Sequence, residues 1–409
     1  MSTQQHSTTI TLPRGTLDLT YQTHKDASYQ LEDLLDFAQR INPKRAFLFV
    51  SKVLGRHIPV APSIMRQAFT DLAASVPDNL PEPILVIGMA ETAVGLSAGV
   101  HQALQTRYPN ALLLNSTRHA QHDDDNTETL LTTFSEDHSH ASQHLIYKSS
   151  NQFTQVQLLA SKTLIMVDDE ASTGNTCINV VSALRDAGLT QLEQVHLTTL
   201  VDWSLGQAGM DDALAERLPD IEFLRHHLLS GAWQWTDAPN PESIIMPSVD
   251  TTSAGTQTLG NTGNWGRFPS LDSTDGFANY LVQFQQSFTK FKGQSKFCTT
   301  SLPQKILILG SNEFVWLPFL LAEWLEQNAN LDSSHGTVKF SALTRSPIAL
   351  GGAITTMLSF TDNYGLGMTN FAYNVKPTDW DLIVLCVETD ADSVDGLWKD
   401  LDNVLVVSP

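Results

Sequence analysis

The chain has 409 residues, 42% of them hydrophobic, which is enough for two or three domains with substantial cores, and a formal charge of −20 at pH 7. That charge argues against nonspecific nucleic-acid binding, which depends on neutralising phosphates with Lys and Arg, and no apolar run reaches the roughly 18 residues that a membrane span needs. Cys177, Cys298 and Cys386 lie far apart in apolar or helical contexts, which predicts a reducing cytoplasm, and the opening MSTQQHSTTI lacks the pattern of a signal peptide.

Residues 1–8 read as a mobile tail. Two helical patterns between Tyr29 and Val76 flank Phe47-Leu-Phe-Val-Ser51-Lys52-Val-Leu-Gly55-Arg56-His57-Ile-Pro59, a strand running into a turn. With Lys44 and Arg45 this is the densest basic segment of an acidic chain, and by itself it also fits a surface charge run. A parallel sheet follows, with strands expected at 84–87, 111–115, 144–147, 163–167 and 195–201 and helices at about 92–104 and 175–187. Residues 236–275, rich in Ser, Thr, Gly, Asn and Asp and without a clear period, predict a linker or a long surface excursion. A second α/β unit begins near Lys305, with strands at 306–309, 338–343, 381–387 and 404–407 and a helix at 315–326, the pattern of a small Rossmann-like sheet. The fold class is α/β, with segments at 1–28, 29–235, 236–300 and 301–409.

The chemistry concentrates at 163–176, where an apolar run ends in Asp168, Asp169 and Glu170 and passes through Ala171, Ser172, Thr173 and Gly174 into a helix opening at Asn175 and Thr176. Backbone N–H groups at such a helix start converge on an anion, and the Thr173 and Thr176 hydroxyls stand beside them. Carboxylates cannot themselves hold a phosphate, so the fitting ligand carries a phosphate at one end and hydroxyls or a cation at the other, as a phosphorylated sugar does. An ordinary turn capped by Thr173 would need neither the acidic pair nor the second threonine. No Gly-Lys-Ser/Thr follows a glycine loop, which excludes a Walker site. Because the whole molecule repels phosphate, a local basic cluster, backbone amides and Mg²⁺ are expected to compensate at the site.

The 163–176 string resembles the phosphoribosyl-pyrophosphate signature of type I phosphoribosyltransferases. The resemblance implies that Asp168 and Asp169 bind the ribose hydroxyls and, through the substrate, Mg²⁺, while Glu170 and Ala171 to Thr176 surround the 5′-phosphate. It places the pyrophosphate at Met89, Ala90, Glu91 and Thr92, after the strand at 84–87, with Glu91 either capping the helix or reaching Mg²⁺ through water. It makes 116–143 a closing lid in which Arg118 meets the pyrophosphate and Glu136, His138 and His140 line the substrate, although a solvated polar loop also fits. His138 and His140 with their acidic neighbours also leave a metal site open.

The turn around Lys52, Arg56 and His57 is similar to the amino-terminal hood of orotate phosphoribosyltransferases, one residue longer between lysine and glycine, and begins from a first segment within 1–28. In the second unit, Ser311-Asn312-Glu313 and Thr344-Arg345-Ser346-Pro347 follow adjacent strands, where open α/β sheets bind ligands. With Tyr364-Gly-Leu-Gly and Asn370-Phe-Ala-Tyr-Asn374 this resembles the TRSP domain, found carboxyl-terminal to an orotate-phosphoribosyltransferase-like domain in bacterial clusters associated with tellurium resistance. Arg345 either grips an anion or pairs internally with Glu313 or Asp362.

The resemblance implies a cytoplasmic, Mg²⁺-dependent phosphoribosyltransferase acting on phosphoribosyl pyrophosphate (PRPP) and a base-like or other nitrogen acceptor, its second domain binding or processing the product. Its partners are small molecules, with no nucleic acid and no membrane, and a homodimer is left open. A sensor of PRPP or nucleotide, or a phosphoribosyl hydrolase, are the alternatives.

Overall fold

The computed structural model describes residues 3–24, 29–40, 46–120, 129–135, 143–208, 213–239, 255–293, 303–329 and 336–409. Its central sheet has seven strands in the order Thr3–Leu12, Gly15–His24, Glu222–Asp237, Gln194–Asp202, Thr163–Ala171, Ile84–Gly88, Leu112–Asn115. The last five run parallel, and the first two form an antiparallel hairpin laid against the far half of Glu222–Asp237. Parallel strands are covered on both faces, which is why Ile84 to Ile87 and Leu164 to Val167 are apolar throughout and essentially without exposure. Helices Val94–Leu104 and Asn175–Asp186 leave the carboxyl ends of two of these strands.

A second sheet is wholly parallel, in the order Thr337–Ala342, Lys305–Gly310, Leu382–Cys386, Val404–Val407, with helix Trp316–Asn328 packed on it. One buried core runs through both units, with Phe69 of helix Pro62–Ala74 against Trp316 and Phe319, and Phe319 against Phe340. Arg66 covers Trp316 and Phe319 with its guanidinium while binding Glu323 through two nitrogens at 2.8 Å. A small sheet also crosses the junction, since Ile348–Ala349 pairs with Leu35–Arg40, which pairs with Phe47–Ser51. Phe47 seats it on Trp233 and Trp235 of the central sheet, and Phe49 on Trp203, just past strand Gln194–Asp202.

Several expectations of local structure are corrected. The supposed tail pairs from Thr3 to Leu12 with Gly15–His24, where Leu12, Leu17, Leu19 and Tyr21 turn inward between polar residues such as Thr16, Asp18 and Thr20. The first helical pattern after Tyr29 is helical only over Leu31–Leu34 and then becomes a strand. The segment around His144 to Tyr147 is not in the parallel sheet but pairs with Leu130–Ser135 in a separate hairpin. Residues 255–293 do not stay away from the body: Ser270 bridges Leu113, Leu259 bridges Thr389, and helix Phe277–Lys292 packs beside the second sheet. Among the described residues, no helix is long and apolar enough to cross a membrane.

Candidate active site

The carboxyl ends of the two parallel sheets open onto one shared polar interior. Strand Thr163–Ala171 outruns its neighbour Ile84–Gly88, whose pairing ends at Val167, and so carries Asp168, Asp169 and Glu170 past that strand's end while Gln194–Asp202 still pairs along its other side. All three are half-buried, and the Asp169 N–H donates to Asp168 Oδ1 at 2.9 Å. Burial, and then the Glu170 charge, push the Asp169 carboxyl up to about 6. The chain then turns at Gly174 (φ +71°), where a Cβ would lie 2.2 Å from Leu214, so only glycine brings the backbone into helix Asn175–Asp186 here. Thr173 Oγ1 accepts from the Asn175 N–H at 3.4 Å, and Arg217, not anticipated from sequence, donates to Asn175 Oδ1 at 2.7 Å. That places a cation beside the Ser172 to Thr176 turn.

On the adjacent strand, Gly88 leads to Met89, Ala90, a cis peptide, Glu91 and Thr92, and then helix Val94–Leu104. A relay supports this loop from beneath. Ala90 N–H donates to Ser116 Oγ at 3.0 Å, Ser116 Oγ is 2.9 Å from His144 Nδ1, and His144 Nε2 is 3.3 Å from Arg118 Nη2. The arrangement is self-consistent if the neutral imidazole donates from Nδ1 and accepts the arginine proton at Nε2.

The second unit enters here. Arg345 reaches across to Glu91, with Nε and Nη2 at 2.8 and 2.6 Å from Oε1, so its ion pair is with Glu91, while Glu313 acts on it only through its charge. Arg56 stands 3.9 Å from Glu91 Oε2 and donates Nη1 to the carbonyls of Asn312 and Leu343, both at 2.8 Å. Burial would raise Glu91, but Arg345, Arg56 and Arg118 outweigh it and hold the carboxyl down at about 2. Glu91 therefore caps no helix; it is the anion of a buried pair joining the units. Glu313 instead docks on the loop after Leu112–Asn115, accepting from Thr117 Oγ1 at 2.5 Å and Arg118 N at 2.7 Å. Behind it, Arg267 grips Glu388 at 3.0 and 3.1 Å, and Tyr364 Oη donates to the same carboxylate at 2.8 Å.

The remaining residues fall outside this cluster's hydrogen bonds. Lys52 is half-buried and donates its Nζ to the Glu32 carbonyl. His57 is buried, and burial followed by Arg56 and Arg40 pushes it down to about 3, so it is neutral at pH 7. Thr344 Oγ1 accepts from Ser346 N at 3.1 Å, which shapes the turn that aims Arg345. Glu136, His138 and His140 lie outside the described residues, as do Lys44 and Arg45. Among the described residues no cluster of three or more His, Cys, Asp or Glu is placed to hold a metal. Two adjacent carboxylates fit Mg²⁺ delivered with a phosphate substrate better than an all-protein cage.

The Asp169 environment yields a stability prediction. Its folded value lies above the ordinary carboxylate value of 3.8, so the cost of ionising it is complete above about 6 and fades as pH falls from there to 3.8. Asp169→Asn should therefore stabilise the ligand-free protein at pH 7, by on the order of 1–2 kcal/mol after allowance for solvent screening, and the gain should vanish by about pH 4. Thermal melts of both proteins across this range check it.

Residues 34–231 match a family model described as phosphoribosyl transferase, and 279–401 match the TRSP domain, described as C-terminal to it. Among solved structures, adenine phosphoribosyl transferase from Trypanosoma brucei, in complex with AMP, pyrophosphate and ribose-5-phosphate, is 14% identical, with a TM-score of 0.33 over 50% of this chain and 82% of that one. The Leishmania tarentolae enzyme is 12% identical, with a TM-score of 0.34 over 51% and 90%. The Leishmania donovani enzyme is 14% identical, with a TM-score of 0.33 over 49% and 78%. No curated protein matches the chain. The two family matches follow one another over most of the sequence, so the chain carries a phosphoribosyl transferase domain followed by a C-terminal TRSP domain.

Proposed function

We propose that the protein transfers the phosphoribosyl group of PRPP, with Mg²⁺, to a nitrogen nucleophile. The C1′–oxygen bond breaks, its electron pair leaves with pyrophosphate, a C1′–nitrogen bond forms, and the nitrogen gives up a proton. The observation that carries this is the acidic strand end Asp168–Asp169 running directly into the Ser172–Thr176 turn, with the Met89–Thr92 loop on the neighbouring strand. Asp168 and Asp169 would hold the ribose diol, and the amides from Ala171 through Gly174 to Thr176, aided by Arg217, the 5′-phosphate. Bound Mg²⁺ would neutralise charge on the departing pyrophosphate. Arg118, oriented by His144, would donate to the same leaving group, and Arg56 and Lys52 add positive field. Glu136, His138 and His140 are assigned to the substrate side on sequence grounds alone.

The units at 29–235 and 301–409, the second read as Rossmann-like, would act as one body in the cytoplasm, alone or as a homodimer. The second would then bind or process the product at the loops of Asn312, Glu313, Thr344, Arg345 and Ser346, with Glu313 and Arg345 anchoring those loops to the first unit. Incubating the protein with PRPP, Mg²⁺ and a metabolite extract should release pyrophosphate and yield a new phosphoribosylated mass. PRPP binding without either product would leave only a sensor, and ribose-5-phosphate as the sole new sugar would indicate a hydrolase.

Arg118→Ala should cut kcat more than it weakens PRPP binding, because a donor aimed at the leaving oxygen gains strength as charge develops there. A loss of roughly 10²-fold in kcat is expected for such a donor, read by steady-state kinetics beside a PRPP titration. Equal losses in both would assign Arg118 to ground-state binding.

A further inference from the structure

Asn312 and Asn370 are both fully buried, and neither the amide nitrogen nor the amide oxygen of either side chain has a hydrogen-bond partner among the described residues. Buried amides are ordinarily paired, because an unmet donor or acceptor loses its bonds to water and gains nothing in return. Two such side chains in one polar interior make four open hydrogen-bonding positions.

Their placement is specific. Asn312 follows strand Lys305–Gly310 at φ +53°, and its carbonyl is held by Arg56, which faces Glu91. Asn370 lies one residue from the Thr344–Phe371 bridge, and continuing that antiparallel register sets it opposite Arg345. Met368, two residues along the extended chain and so on the same face, lies with its Sδ 3.9 Å from Arg345 Nη1. Asn370 thus lies beside the arginine that holds Glu91 in the loop after Ile84–Gly88, and Asn312 beside Arg56, the second cation facing that carboxylate.

The neighbouring charges are already matched. Arg345 is spent on Glu91, Arg267 on Glu388, and Glu313 on Thr117 and Arg118. Arg56 Nη2, Arg345 Nη2 and Arg267 Nε are also buried without a hydrogen-bond partner, but their charges face Glu91 and Glu388; the two amides are the open groups that offer a donor beside an acceptor, the complement of a carboxamide or a lactam edge.

We infer that Asn312 and Asn370 recognise the acceptor of the transfer, a neutral nitrogen compound presenting a carboxamide or lactam edge. The second unit thereby supplies one wall of the transfer site. This rests on the transfer reading above and adds to it the acceptor class.

The test uses the full chain with PRPP and Mg²⁺ and three matched probe pairs: nicotinamide and pyridine, hypoxanthine and purine, uracil and pyrimidine. In each pair only the first member has the edge. Calorimetric titration of the unaltered protein should show at least one edge-bearing probe binding roughly tenfold or more tighter than its partner. Asn370→Leu and Asn312→Gly, the latter compatible with a positive φ, should each abolish that preference while leaving PRPP affinity unchanged. Asn370→Leu should also keep or raise the melting temperature, since an unpaired buried amide is replaced by an apolar side chain of similar size, whereas a structural asparagine would lower it. Equal affinity within every pair, or a preference surviving in both variants, overturns the inference and leaves the two amides to water. Failure of the unaltered protein to bind PRPP in a separate titration overturns the transfer reading, and the acceptor role with it.

Discussion

Replacing Asp168 and Asp169 together with asparagine should abolish turnover while leaving the fold intact. Both side chains are half-buried and stand past the end of strand Ile84–Gly88, so neither closes a core. Asparagine keeps the shape but removes the negative charge that strengthens a hydrogen bond to a sugar hydroxyl. Each charge-assisted bond is worth about 1.5–3 kcal/mol, so PRPP affinity should fall by roughly tenfold or more, and by further where Mg²⁺ is held through the same carboxylates. Removing the strained Asp169 charge should at the same time raise thermal stability. Weaker binding with a higher melting temperature distinguishes a site residue from a structural one. Unchanged affinity for PRPP and Mg²⁺ in the double variant would sink the assignment.

What could be read from sequence was whatever is local. Strands buried on both faces announce themselves as apolar runs, so 84–87, 163–167 and the four strands of the second unit stood out, and each loop leaving a strand end could be inspected for chemistry. The amino-terminal hairpin escaped notice because its inward Leu17, Leu19 and Tyr21 alternate with threonine, aspartate and glutamine on a half-solvated edge. Strand Glu222–Asp237 escaped for a related reason: it is mostly half-buried and changes partner midway, from parallel pairing with Gln194–Asp202 to antiparallel pairing with Gly15–His24.

The joins between loops were not legible at all. Glu91 and Arg345 are 254 positions apart, and Thr117 and Glu313 are 196 apart, and nothing near either residue names its partner. Arg267 sits in a polar stretch that reads as linker, yet it is buried against Glu388. Two candidate sites on two sheets therefore became one interior only when the carboxyl edges of those sheets were seen to face each other.

The pair at the centre of that interior should be the most costly to break. Arg345→Ala leaves Glu91 buried beside fewer cations, and loss of one partner of a buried ion pair typically costs about 3–5 kcal/mol. The pH dependence supplies the signature. In the unaltered protein Glu91 is held at about 2, below its ordinary value of 4.5, so its contribution is complete above 4.5 and is lost only as pH falls through about 2. Without Arg345 the burial of Glu91 is less well offset and its folded-state value rises. The variant should then be most unstable at neutral pH, with its deficit shrinking as pH falls and Glu91 takes up a proton. Glu91→Gln combined with Arg345→Met removes both charges and should recover most of the lost melting temperature, because the penalty lies in the stranded charge more than in the missing bond. If the double variant melts as low as Arg345→Ala at every pH, the arginine stabilises the junction through packing alone, and the two units are not joined by this charge.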